Sequence, residues 1–433
     1  MNRNQIFRLS GVSLILLSGF ALSPSSAGAQ KTPPRTAPIS TQEKIDPANL
    51  PIVEASKLLT NSKAFMNALQ PEATLDDKVK ALEDKSVLKA LDMAKSWLKQ
   101  PATPPAIIEE SLGASSEYTD FRQVSRGLSL ESYVLLSEGR VKDALFVVEQ
   151  NLKIAAPLYR RSLIGGLVGL ACEAIAVRPL GRNLASISLK EVDYLSKIAK
   201  DWLSDDATLT MLENEQKSQL LSLRSTVKNS LLEKPVSAPP PDEKIIFLKE
   251  ENERQEALRQ QLKSMTEPQR EALLQKVEAQ TNLEFVRIKE LTKQSYSRWI
   301  GEISKEDVLP PGASLLETER VRSAEINRVT LIMLVKRKAM GKLLATHAAV
   351  IKFRWENGKL PVTLEELKLG DIAVDPYTDA LLLYKVTGRE YTLASAGAME
   401  YDAQQHLDPT KRKSINLMFS NTSTEKSAPS PKP

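Results

Sequence analysis

From Ser314 to Gly358 the sequence holds no proline and a single internal glycine, Gly341. Ser314 and Glu317 have the spacing of a capping box, and Asn357-Gly358 followed by Pro361 is a helix-stop signal. The pattern predicts one helix over about 315 to 356, a rod of roughly 60 Å at 1.5 Å per residue. Its middle, Val329 to Val335, is nearly all apolar and is flanked by Arg328 and Lys336-Arg337-Lys338. A bilayer needs about 20 apolar residues, so this run reads as the centre of a helical core. Composition agrees. Aromatic residues are only 5% and glycines only 17 against 25 prolines, which disfavours an all-β sandwich or barrel. The expected class is mainly α: a multi-helix body, a charged helical insertion and a small carboxyl-terminal α+β unit.

The amino terminus reads as an address. Arg3 and Arg8 precede the apolar stretch Leu9 to Leu22, Ser23-Pro24-Ser25-Ser26 breaks it, and Ala27-Gly28-Ala29 fits a small-x-small cleavage pattern. Residues 1–29 are expected to be a signal peptide cut between Ala29 and Gln30, which places the chain in the periplasm or outside the cell. No transmembrane segment is expected after it. Residues 30–51, with Pro33, Pro34, Pro38, Pro47 and Pro51, read as a linker.

Helical periodicity then dominates residues 52–233. Val87, Leu91, Ala94 and Leu98 make one face; Phe121, Val124, Leu128 and Leu135 make the next. Gly139 separates the latter from Val141, Ala144, Val148, Leu152 and Ala155. Gly139 stands five residues before Ala144, as at the turn of a tetratricopeptide unit, but there is no second copy at the 34-residue period, so an ordinary helical hairpin is expected. Ser188 with Glu191 opens a helix to about Leu203, and Leu209 to Leu231 lines another. Residues 234–242 are a second proline-rich linker. Residues 243–308 read as a projecting charged hairpin, with Thr266-Glu267-Pro268 starting its second helix. Its first helix has heptad-spaced Leu248, Leu258, Leu262 and Met265, but Glu251 and Gln255 on the seam are too polar for a strong coiled coil.

The last ordered unit, 313–402, joins the long helix to a short helix capped by Thr363 and Glu366, a turn at Asp375-Pro376-Tyr377-Thr378-Asp379, and strands Leu381 to Val386 and Tyr391 to Ser395. Residues 403–433 are polar and expected to be largely disordered. Five stretches carry a resemblance: Phe353-Arg354-Trp355-Glu356-Asn357-Gly358-Lys359-Leu360-Pro361, Leu364-Glu365-Glu366-Leu367, Asp375-Pro376-Tyr377, Leu383-Tyr384, and Tyr391-Thr392-Leu393-Ala394-Ser395-Ala396-Gly397. On these, residues 343–402 resemble the soluble part of the type II secretion major pseudopilin. They are still more similar to the end of uncharacterised secreted bacterial proteins with a helical body, in which a run like Ser162 to Gly169 also occurs. The resemblance implies a fold and says little about activity. The prepilin processing site is absent, and the family glycine after the turn is Asp379. The loop from Gly397 to Asp402 offers Glu400 and Asp402, a poor start toward the six to eight oxygens calcium wants.

Chemistry is sparse. One cysteine, Cys172, and two histidines, His347 and His406, exclude a disulfide framework and disfavour a His- or Cys-based metal centre. There is no nucleophile elbow, zincin motif, phosphate loop or EF-hand loop, so no cofactor is expected. The net charge of +5 is too mild to imply nucleic acid. His347 reads as a partly buried helix histidine. Glu173 is the one acid in the apolar run Leu163 to Val177; it could be a buried acid of raised pKa, or pair with Arg178 or Arg182. No catalytic residue is assigned. The reading leans against an enzyme and toward an envelope interaction or scaffold protein with a protein partner. The alternative is an exported hydrolase with an unrecognised carboxylate site. A hydrolase should show a deep pocket of convergent acids; a binding module should show an apolar groove or an open edge on the 381–395 hairpin.

Overall fold

The computed structural model describes residues 47–100, 116–161, 163–182, 187–204, 208–230, 246–303, 312–401 and 407–417. The expected signal peptide with Ala29 and Gln30, the 234–242 linker, His406 and Asp402 lie outside these. The fold is mainly α with a small carboxyl-terminal antiparallel sheet, as the periodicity predicts.

The body begins earlier than expected. Pro47–Asn49 form a 3-10 turn and α1 (Leu50–Asn61) follows at once, so the end of the proposed 30–51 linker is helical. Pro51 sits in the first turn, where a helix has no use for its missing N–H. Next come α2 (Lys63–Ala68), α3 (Leu75–Glu83) and α4 (Lys85–Trp97), with α3 opened by a Thr74–Asp77 capping box. The long pair α5 (Ser116–Ser137) and α6 (Val141–Tyr159) turns at Gly139, which has φ +76°. A side chain there would be strained. The apolar helix α7 (Leu163–Val177) packs on both, and α8 (Leu189–Ser204) and α9 (Thr208–Ser230) complete the body.

The segment Leu163–Gly181 is long and apolar enough to cross a membrane by length and composition, but 67% of it is buried here. Gly165 and Gly169 let α6 approach: a Cβ on Gly165 would stand 2.6 Å from the Leu158 carbonyl oxygen, and one on Gly169 would stand 3.1 Å from the Tyr159 ring.

The charged segment folds as α10 (Ile246–Ser264), α11 (Glu267–Thr292) and α12 (Tyr296–Ile303). It does not project freely. Phe285, Ile288 and Leu291 of α11, with Tyr296 and Ile300, enter the main core. Leu258, Leu262 and Val277 close a second cluster with Val227 and Leu316. The charges sit on the opposite, solvated face, where periodicity alone could not show what the apolar stripe touches.

Helix α13 (Leu315–Asn357) runs unbroken between the Ser314–Glu317 capping box and Gly358 at φ +69°. It is the spine of the molecule. Leu316 packs with α10 and α11; Leu344, Ala348 and Ile351 face the body; Leu343 and Val350 face the carboxyl-terminal unit. The two middle sets follow helical spacing on neighbouring faces. Beyond it, Leu364–Leu367 and Gly370–Ala373 are 3-10 turns, and the sheet has order β1 (Leu383–Thr387), β2 (Glu390–Tyr401), β3 (Leu407–Ile415), all antiparallel. Thr387 pairs with Glu390 across Gly388-Arg389, with Gly388 at φ +63°. Strand β3 corrects the expectation of a disordered tail from 403. Its polar sequence, Leu-Asp-Pro-Thr-Lys-Arg-Lys-Ser-Ile, lacks apolar alternation and is recruited by backbone pairing with an elongated β2.

Candidate functional site

A cleft of about 870 Å³ opens on the body. Its walls are α3, α4, the end of α5, the start of α6 and the start of α8. Leu91, Val134, Leu135 and Val147 make a buried apolar floor. Leu88 and Phe146 remain 48% and 53% exposed, an unusual state for side chains of that size pointing into one depression. The volume falls in the range of ligand pockets.

Helix α6 explains why apolar side chains are left open here. Ala144, Val148, Leu152 and Ala155 face the core, while Lys142, Phe146 and Gln150 recur at four-residue spacing on an adjacent stripe. That second stripe turns to the cleft. Gln150 is only 9% exposed, yet its Oε1 is buried without a hydrogen-bond partner among the described residues. On α5, Glu131 Oε1 accepts from Lys95 Nζ at 2.6 Å, and Glu131 Oε2 is likewise buried with no partner among them. The rim is charged: Arg140 bridges Asp143 at 2.9 Å and Glu138 at 3.5 Å, and Glu191 accepts from the Ser188 hydroxyl. Lys142 and Lys190 have no ion-pair partner among the described residues. Tyr194 donates to Glu149 beside them. The sequence reading named Leu91 and Leu135 only as helix-face residues and Ser188 with Glu191 only as a cap; the available signal for a site was Phe146 lying off the apolar face of its helix.

Glu173 lies elsewhere. It is 2% exposed, and Arg337 Nε donates to both its oxygens at 3.0 Å. Tyr159 donates its hydroxyl to Glu173 Oε2 at 2.7 Å, and the Arg337 guanidinium lies 5.1 Å from the Tyr159 ring centroid. Arg178 is not the partner in this bridge, and the side chain of Arg182 lies outside what is described; the cation comes from the spine helix, 164 residues away. Burial pushes the Glu173 carboxyl up, while Arg337 and the Tyr159 hydroxyl pull it down. The void beside Arg337, lined by Trp202, Leu203 and Gly341, is about 20 Å³, the size of one water. A substrate does not fit there. The cluster joins α6, α7 and α13. A second buried pair, Arg161 to Glu117 at 2.7 Å, with Asn49 donating to the same oxygen at 3.1 Å, ties the first helix to α5 and α6.

His347 is fully buried rather than partly so, because the carboxyl-terminal unit covers it. Its Nδ1 is 2.9 Å from the Tyr391 hydroxyl, and burial holds its pKa down at about 3. Cys172 is buried and its thiol is pushed up to about 12 by burial, which removes it as a nucleophile at neutral pH. Asp375 is buried and accepts from the Tyr377 N–H at 3.0 Å, the Ser395 hydroxyl at 2.9 Å and the Ala396 N–H at 2.6 Å. Asp375 thus ties the turn to β2, and the Tyr377 hydroxyl donates to the Ile332 carbonyl of the long helix at 3.4 Å. Asp379 takes φ +58°, a left-handed conformation that Asp tolerates better than most side chains. Among the described residues no group of three or more His, Cys, Asp or Glu side chains is arranged to hold a metal. No family model, curated protein sequence or solved structure matches this chain.

Proposed function

We propose that the chain is an exported envelope protein that works by binding another protein rather than by catalysis, and that the cleft between α3, α4, α5, α6 and α8 is its binding surface. The observation that carries the reading is the exposure of Leu88 and Phe146 within one depression of about 870 Å³. Its floor is apolar, its rim is charged, and that is the anatomy of an interface rather than of a reaction centre. The basic-apolar-small pattern of residues 1–29 supports export. The pseudopilin-like end supports a place in the envelope.

Cell fractionation with amino-terminal sequencing should return the chain outside the cytoplasm, beginning at Gln30. A photo-crosslinking side chain placed at Phe146 should give a saturable protein adduct in envelope extracts, lost on Leu88→Asp with folding checked by circular dichroism. A cytoplasmic, unprocessed chain would overturn the location. No adduct, together with a hydrolase activity of the purified chain, would overturn the binding reading in favour of an enzyme.

A further inference from the structure

We infer that Arg122 and Arg126 of α5 form a binding site for a tetrahedral dianion, the phosphate or sulfate group of a soluble ester or a lipid headgroup. The site lies outside the cleft and does not depend on the binding reading above.

The two arginines stand four residues apart, so they leave neighbouring positions on one face of α5 with roughly 6 Å of rise between them. Helix α7 lies alongside, held by the hydroxyls of Ser125 and Ser129, which donate to the Cys172 and Ile175 carbonyls. Arg122 is half-buried, and its Nε is sealed from water with no acceptor among the described residues. Its two terminal amino groups are not sealed, and they make no hydrogen bond among those residues either. Arg126 is exposed. Its Nη1 donates to Gln123 Oε1 at 3.2 Å, and its other N–H groups have no acceptor among the described residues. The donors offered to a ligand are therefore the outer edges of two guanidinium forks, and solvent reaches both.

The charge around them is unbalanced. Burial first, and the Arg122 charge second, pull the Arg126 guanidinium below its ordinary pKa. Cys172 faces both arginines, but its thiol is pushed up to about 12 and is neutral at pH 7. The carboxylates of α5 and α7 do not serve them. Glu117 is held by Arg161, Glu131 by Lys95 and Glu173 by Arg337. Asp120, two residues before Arg122, stands roughly 200° around the helix from it. An arginine keeps its charge in any surroundings, so the repulsion is relieved only by an anion. Each fork presents two N–H groups to two oxygens of one acceptor. A tetrahedral dianion has oxygens for both forks and the two charges that balance them. A carboxylate, with two oxygens and one charge, fills a single fork.

The test uses the purified chain at constant ionic strength. Calorimetric titration with inorganic phosphate and with sulfate should show saturable binding, and acetate and chloride should show none. Arg122→Gln and Arg126→Gln should each weaken both dianions by roughly tenfold, and the double variant should lose them. Arg126→Lys, which keeps the charge but not the fork, should also weaken them. Without added anion, Arg126→Gln should unfold at the wild-type temperature or above it, because it removes the like charge beside Arg122. Lost binding with a retained midpoint is not explained by unfolding. Vesicles of phosphatidylcholine with phosphatidic acid separate the sources. Co-sedimentation that free phosphate competes away assigns a headgroup, and no sedimentation alongside binding of free phosphate assigns a soluble ester. Glu109 and Glu110 precede α5 in sequence and lie outside the described residues. Glu109→Gln with Glu110→Gln should leave the affinity unchanged if the ligand is external.

No saturable binding of either dianion, binding that survives in the arginine double variant, or equal binding of acetate would overturn the inference. Binding that appears only with Glu109→Gln and Glu110→Gln would overturn it too, since the chain would then supply its own anion.

Discussion

At the scale of single residues, the buried polar groups decide how the helices lock together. Glu173 and Arg337 are both withdrawn from water, at 3% and 11% side-chain exposure, and each is tolerable only because the other is present. Arg337→Leu should therefore destabilise the protein by about 3–5 kcal/mol, since it strands a buried carboxylate. Adding Glu173→Leu should recover part of that loss, because no uncompensated charge remains. Urea midpoints of the two single variants and the double variant measure this; strictly additive losses would contradict the pairing. His347 makes a second expectation. Its folded pKa of about 3 lies below the ordinary 6.5, so the unfolded chain binds the extra proton between these values. Stability from the neutral imidazole is intact above about pH 6.5 and is lost as pH falls toward 3. By linkage the loss should reach about 3 kcal/mol near pH 4.5, and His347→Leu should flatten that part of the acid limb.

At the scale of elements, the junction of β2 and β3 is the most sensitive point. Gly397 has φ +77°, and a Cβ there would fall 1.7 Å from the Lys413 carbonyl oxygen. The pairing shifts register between Ser395 and Ala398, so this glycine sits in a bulge that lets β3 close against β2. Gly397→Ala should cost at least about 2 kcal/mol and release β3. Hydrogen exchange over residues 407–415 should lose its protection while residues 383–387 keep theirs. Retained protection of 407–415 would show that the strand is held by something other than this close approach. The covering of one side of the hairpin by β3 also leaves β1 as the described edge opposite it, a five-residue strand with Lys385 exposed on it, a modest template for a partner strand.

At the scale of the whole molecule, α13 passes through three apolar clusters and couples them. The charged helices 246–303 share the main core through Phe285, Ile288 and Leu291. Unfolding of the body and this segment should therefore coincide. Phe285→Ala should lower stability by about 3–5 kcal/mol and shift the transition as one, rather than split off an early phase. Probes on Trp97 in α4 and Trp299 in α12 report the two regions separately by single-tryptophan fluorescence. Non-coincident midpoints in the wild-type chain would show that the segment folds as its own unit.

What the sequence determined by itself is what a few neighbouring residues can settle. The capping pairs at Thr74, Thr266, Ser314 and Thr363, the left-handed stops at Gly139, Gly358 and Gly388, and the periodic stripes all act within one or two turns of chain. They were enough for the helical class and for the long helix almost to the residue. The Asp375-Pro376-Tyr377-Thr378-Asp379 run was legible as a turn, and the Asp375 carboxylate accepts there from the backbone N–H groups of Tyr377 and Ala396. Tertiary structure alone decided the rest. It brought Arg337 from the spine helix to Glu173, sealed His347 under Tyr391, drew a polar strand onto β2, and left Phe146 and Gln150 facing an open cleft. Each of these depends on which faces of distant helices meet. Side-chain periodicity fixes that a face is apolar, and only packing fixes what it is apolar against.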